Sequence, residues 1–133
     1  MKSFAQQVVE FNQQILGIPQ RPIGELPTHE FEISMACLQE EVDEFEEAVK
    51  NGDVIGAVDA MVDLMYFANG VMYKMGLTAQ EIDDCCEAVH NANMEKKRGV
   101  NAKRAVEGAA DAVKPEGWIS PEERIAAILG ARS

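Results

Sequence analysis

Between Val54 and Met75 the chain is almost wholly apolar or small, yet Asp59 and Asp63 stand inside that run. Placed four apart, they lie one above the other on a single helical face, and Tyr66 extends the same stripe. The run reads as a helix buried nearly all round. A buried carboxylate without a partner is costly, and two stacked like charges cost more, so a fold that accepts this helix must bring a cation to it.

The nearest cationic side chains, Lys50 and Lys74, sit near helix ends, and a metal ion fits the requirement better. The preceding helix, read from about Glu30 to Asn51, supplies Glu40, Glu41, Asp43, Glu44, Glu46 and Glu47. Antiparallel packing of the two helices can set Glu41 and Glu44 opposite Asp59 and Asp63. All-oxygen ligation of that kind suits Mg²⁺ or Mn²⁺, which keep positions open for water and phosphate oxygens. The plain alternative for the glutamate-rich helix is a solvated face.

Helical spacing recurs along the rest of the chain, and no segment shows the alternation of a strand. A first helix starts at the Ser3 cap, carries Phe4, Val8, Phe11 and Ile15 on one face and stops at Gly17. A connector with Pro19, Pro22 and Pro27 follows. Phe31, Met35, Leu38, Val42, Phe45 and Val49 form a bundle seam on the second helix. Gly52 and Asp53 break and cap the third, which ends at Gly76, while a Thr78 to Glu81 capping box opens a fourth that runs to Gly99. Residues 101–113 read as helical, Lys114 to Trp118 as a turn, and Pro121 as the first position of a short last helix. With 133 residues, one domain is expected over 1–133. The fold class is all-α, a four-helix-bundle-like core with a short C-terminal helical extension over residues 99–133.

The formal charge is -11, which disfavours a nucleic acid polymer or an anionic membrane as partner. No signal-type leader is evident, no apolar run reads as a membrane span, and the expected location is cytoplasmic. Cys37, Cys85 and Cys86 make neither an even framework nor a Cys-x-x-Cys pair, so reduced thiols are expected. Nor is there a Walker-type loop, a dinucleotide fingerprint or a Gly-x-Ser-x-Gly elbow. Five of the twelve basic residues fall between Lys96 and Arg104. Asn93 and Lys96 share a face with His90, an arrangement suited to phosphate or base, whereas Lys97 and Arg98 also suit a helix C-terminus as dipole partners. Trp118 can stack on a base or anchor the C-terminal segment. His29 reads as a surface residue. Glu87 and His90 give one Glu-x-x-His, where a di-iron bundle needs two.

Glu40-Glu41-Val42-Asp43-Glu44, Asp59 to Tyr66, and His90 to Lys96 together resemble the all-α nucleoside triphosphate pyrophosphohydrolases, MazG-like and related to phosphoribosyl-ATP pyrophosphohydrolase. Phe11-Asn12 followed by Pro19 is similar to the start of phage-type members. The resemblance covers about residues 8–98. Many members carry Glu-x-x-Asp on the third helix, where this chain has Ala60 before Asp63 and Asp59 one residue earlier.

The resemblance implies hydrolysis of a nucleoside triphosphate to monophosphate and pyrophosphate. It implies two or more Mg²⁺ or Mn²⁺ ions on Glu41, Glu44, Asp59 and Asp63, with Glu40, Glu41 and Glu44 as catalytic acids and Glu40 orienting or deprotonating water. Asn93, Lys96, Lys97, Tyr66 and Trp118 are the substrate-binding candidates. A purine deoxynucleotide, dGTP or dATP, is the expected substrate by analogy with phage 2-aminoadenine metabolism, in host cytoplasm if phage-encoded; phosphoribosyl-ATP and dUTP are its competitors. A homodimer or homotetramer is implied. The rival of another class is an acidic helical protein-interaction module.

Overall fold

A computed structural model describes residues 1–100 and 110–130. Its elements are helices α1 (Phe4–Gln14), α2 (Thr28–Lys50), α3 (Val54–Lys74) and α4 (Ala79–Met94), strands β1 (Lys97–Val100) and β2 (Ala110–Val113), and helix α5 (Pro121–Gly130). The core is all-α. Helix starts follow local chemistry: Ser3 and Gln6 form a reciprocal capping box on α1, and Asp53 accepts from the Gly56 N–H at 2.9 Å to cap α3. At α4, Thr78 N–H donates to Glu81 and Glu81 N–H donates back to the Thr78 hydroxyl. Ser120 accepts from Glu122 N–H ahead of α5.

The chain divides into two compact units, Met1–Ile82 and Asp83–Ser133. In the first, α2 and α3 form an antiparallel hairpin across the Asn51 to Asp53 break, and α1 lies on α3. Phe4 and Phe11 of α1 meet the Tyr66 ring edge-on at centroid distances of 5.8 and 5.6 Å. Val8 is fully buried, while Ile15, expected on the same face, caps the helix in the open.

The proline-rich connector is strapped to the end of α3. Tyr73 donates its hydroxyl to the Ile18 carbonyl at 2.7 Å, Gln20 donates to the Gly76 carbonyl at 2.9 Å, and Gly24 N–H donates to the Met75 carbonyl at 3.0 Å. Arg21 forks onto Glu30, which holds the Glu30 carboxyl below its ordinary pKa through that hydrogen bond and charge. Gly76 makes the close approach possible. Its φ is +102°, and a Cβ there would lie 2.2 Å from the Pro22 carbonyl oxygen.

Three sequence expectations are corrected. The seam Phe31, Met35, Val42 and Val49 faces outward, with only Leu38 and Phe45 half-buried, and α2 instead buries Ser34, Glu41 and Ala48. Likewise α3 is not buried all round: Val54, Ile55, Val58, Val62, Met65 and Phe67 are exposed, and its buried stripe is Ala60, Gly70 and Tyr73. The periodicity was that of an apolar face, and the intrachain contact uses the small residues beside it. Thirdly, α4 ends at Met94 rather than Gly99, and β1 pairs antiparallel with β2 from Lys97 opposite Val113 to Val100 opposite Ala110. A helix expected over 101–113 therefore gives way to a strand at 110–113, and 101–109 lie outside the described residues.

Among the described residues α3 is long and apolar enough to cross a membrane by length and composition. Two aspartates in its middle and its packing on α2 make it a helix of the hairpin.

Replacing Gly76 with alanine should destabilise the protein by more than about 1 kcal/mol, because both the left-handed backbone and the Pro22 contact are lost. Thermal unfolding followed by circular dichroism measures this, and an unchanged midpoint would show that the strap does not depend on that contact.

Candidate functional site

On one side of the hairpin α2 and α3 enclose an open cleft of about 660 Å³. Glu40, Asp43, Glu44 and Glu47 enter it from α2, Asp59 enters from α3, and Asp53 sits at the turn, with no lysine or arginine in the lining. Helix α2 delivers its four acids by spacing of three and four residues, so one groove collects them. Some are committed within the fold: Asp43 accepts from Gln39, Glu47 from Asn51, and Asp53 from the Gly56 backbone.

Glu41 and Asp63 do not line this cleft; Glu41 is buried beside it, and its Oε2 has no hydrogen-bond partner. Burial, a hydrogen bond with Glu44, and the charges of Glu44, Asp63 and Glu40 push its pKa up to about 7. Half-buried Asp63 is raised in the same sense by burial, Asp59 and Glu44. The hairpin thus brings the sequence-predicted Glu41, Glu44, Asp59 and Asp63 into one electrostatic cluster. Exposed Glu40 borders it.

The donor set is chemically suited to a hard divalent cation: it is all-oxygen, mutually repulsive, and includes an orphaned buried oxygen. Among the described residues no three His, Cys, Asp or Glu side chains already form a cage. Glu44 and Asp59 are exposed, so their side chains can reorient without repacking the helices.

Tyr66, on the same stripe as the aspartates, packs against Phe4 and Phe11. It also borders a small cavity of about 60 Å³ with Asn12, Ser34 and Gly70, where the buried Ser34 hydroxyl has no partner. The remaining predicted contacts belong to the second unit. Asn93 and His90 are exposed on α4, and Lys97 is exposed on β1. Trp118 donates its indole N–H to the Ala92 carbonyl at 2.7 Å, and the Lys96 ammonium stands 5.1 Å from its ring centroid. His29 is exposed, as expected of a surface residue.

Sequence reasoning missed the place of Asp53 in the cleft, having read it only as a cap, and it missed the second ring contact of Trp118. That contact is Lys114, also at 5.1 Å. The signal for Asp53 was its position between two acidic helices.

The sequence model of the family described as phosphoribosyl-ATP pyrophosphohydrolase matches residues 8–93, about two thirds of the chain. No curated protein matches it. The matched span contains α2 and α3 in full, with every acid of the cleft.

The raised acids fix the sign of a pH effect on the metal-free protein. A carboxyl whose folded pKa exceeds its unfolded one holds its proton more tightly when folded, so stability is lost as pH rises from the ordinary glutamate value of 4.5 through about 7. Glu30, with a lowered pKa, acts in the opposite sense at acid pH. Glu41→Gln should flatten the neutral part of the profile, and chemical denaturation in EDTA at stepped pH tests it. A wild-type stability that climbs between pH 5 and 7 as steeply as the variant's would contradict the assignment.

Proposed function

Because the chain belongs to the phosphoribosyl-ATP pyrophosphohydrolase family, we propose that it hydrolyses a purine (deoxy)nucleoside triphosphate, dGTP or dATP, to the monophosphate and pyrophosphate. The family makes the chain a nucleotide pyrophosphohydrolase; the substrate and the metal are the proposal. One observation carries it: a buried glutamate with an orphaned oxygen, facing acids from two helices at the edge of a cleft without a basic residue. Such a cleft repels a bare triphosphate, and only with divalent cations does it become a phosphate site.

In this reading Glu41, Glu44, Asp59 and Asp63 hold two or more Mg²⁺ or Mn²⁺ ions. When bound, these ions supply neutralisation of the phosphates and acidification of water. Glu40, exposed on the cleft wall, orients that water and accepts its proton as it attacks the α-phosphorus. The hairpin fixes the backbones of these acids, which would set where bound cations, and through them the phosphates, are held. Asn93, Lys96 and Lys97 contribute contacts to phosphate or sugar, with Tyr66 and Trp118 as aromatic contributors. The enzyme acts in the cytoplasm in nucleotide-pool control, including that of phage 2-aminoadenine synthesis. Phosphoribosyl-ATP is the second reading, favoured by the family match itself.

The working form is a homodimer or homotetramer. Val42 and Val49 of α2 and Val58, Val62 and Met65 of α3 leave a broad apolar face open to water, and Val49, Val58 and Val62 line one groove of about 380 Å³. A face of that kind on a small water-exposed hairpin calls for a matching surface, and a second hairpin supplies one.

Two measurements test this. Incubation with Mg²⁺ or Mn²⁺ and each common NTP and dNTP, and with phosphoribosyl-ATP, should release monophosphate and pyrophosphate from a purine nucleotide. Glu44→Ala and Asp63→Asn should each lower the rate by about 100-fold or more while folding is kept. No turnover of any of these would favour an acidic interaction module. Light scattering should give a multiple of the 14.6 kDa chain mass, and Val58→Asp should return the single-chain value. A wild-type monomer would remove the oligomer from the proposal.

A further inference from the structure

Ser34 is buried on α2, and its hydroxyl has no hydrogen-bond partner. A serine within a helix ordinarily turns its hydroxyl to the carbonyl four residues back, and Ser34 makes no such bond. It lines the cavity of about 60 Å³ where α1, α2 and α3 meet, and among the described residues no carboxylate borders that space. Asn12, only 3 % exposed, lines it from α1. Its Nδ2 donates to the Val8 carbonyl at 2.9 Å, which fixes the orientation of the amide and leaves Oδ1 as an acceptor. Gly70 of α3 forms a further wall, where a Cβ would stand 3.4 Å from Asn12 Nδ2. One narrow space is thus bordered by a hydroxyl and an amide oxygen, both neutral.

The space is too small for a ring, since a cavity that takes benzene measures about 150 Å³. It admits only a small polar substituent. The ring bearing that substituent would lie at the mouth, where Phe11 and Phe67 are 36 % and 39 % exposed and Phe11 holds the Tyr66 ring edge-on. Its place on the hairpin is set by both helices. Ser34 precedes Glu41 by seven residues on α2, and Gly70 follows Asp63 by seven on the antiparallel α3. The cavity therefore lies two turns, about 10 Å, along the hairpin from the acidic cluster. A pentose and a base cover such a span from an α-phosphate.

We propose that this cavity receives the exocyclic amine of an aminopurine: Asn12 Oδ1 accepts from the amine, and the Ser34 hydroxyl bonds the ring atom beside it. A hydroxyl both donates and accepts, so N1 of adenine and N1–H of guanine are served equally, and the amine is the required feature. Hypoxanthine lacks that amine, leaves Asn12 unpaired and is rejected. The choice of a purine rests on the hydrolysis reading, in which Asn12 and Ser34 have no part. Neither metal nor phosphate enters the contact itself.

Amide NMR of the ¹⁵N-labelled full chain, titrated with deoxyguanosine or deoxyadenosine in EDTA, should show saturable shifts at Asn12, Ser34 and Gly70. Deoxyinosine should bind about tenfold more weakly than the tighter of the two. Ser34→Ala removes an unpaired buried hydroxyl, so it should keep or raise the unfolding midpoint while weakening nucleoside binding about fivefold. Gly70→Ala, whose methyl meets Asn12 at contact distance, should narrow the cavity and make the three nucleosides bind alike. The test omits metal and triphosphate, so the two readings fail separately. A chain that binds these nucleosides but turns over no triphosphate would refute hydrolysis alone, and turnover of dGTP or dATP without the shifts would refute the cavity alone. Deoxyinosine bound as tightly as the aminopurines by the wild-type chain, or unaltered affinity of folded Ser34→Ala, would likewise overturn the proposal and leave the cavity to water.

Discussion

The structure turns on a glutamate buried between two helices that also carry its like-charged neighbours. Glu41 lies midway along α2, with Ser34 about two turns before it and Ala48 about two turns after, and the three make the helix's buried stripe. Across the hairpin Ser34 shares a cavity with Gly70, Glu41 feels Asp63, and Ala48 lines the same cleft as Gly56 and Asp59. The contact between the helices is therefore made by small side chains around one carboxyl. Small residues let the helices approach closely, and close approach brings the acids of both into range of one another. A leucine or isoleucine at any of these positions would widen the hairpin and dilute the cluster.

That choice has a cost in hydrophobic burial. With small residues facing inward, the larger apolar side chains of α2 and α3 are turned outward, and the fully buried large residues are Tyr73, Ile82 and Val8. Two of these lie at or beyond the end of α3, where the proline-rich connector crosses. The strap of Tyr73, Gln20, Arg21 and Gly24 thus consolidates the end of the hairpin remote from the acidic cleft. The middle of the hairpin holds repulsive charge, and its outer face holds exposed valines. Such a division places the electrostatic cost on the cleft and the hydrophobic exposure on the outer face.

Much of this was legible in the sequence, and the boundary of legibility is physical. Caps are local chemistry, so Ser3, Asp53, Thr78 and Ser120 mark their helices as read. The meeting of Glu41 and Glu44 with Asp59 and Asp63 was legible because the short break at Asn51 to Asp53 forces adjacent helices to pack antiparallel. The face that packs was not. A stripe such as Phe31, Met35, Val42 and Val49 announces an apolar surface, but periodicity does not say whether its partner is in the same chain. Strands β1 and β2 escaped for another reason: Lys97-Arg98-Gly99-Val100 and Ala110-Asp111-Ala112-Val113 are too short and too little β-branched to show alternation. Their pairing comes from contact between segments, not from either one's propensity.

The carboxylates of the cleft could act on phosphates only through cations, an interaction that carries no information about guanine or adenine. Discrimination among purines requires neutral donors and acceptors aimed at exocyclic groups, and the amides in the cleft lining, Gln39 and Asn51, are engaged with Asp43 and Glu47. The family match gives this chain its reaction class, while the choice of base is not a property that carboxylates can set.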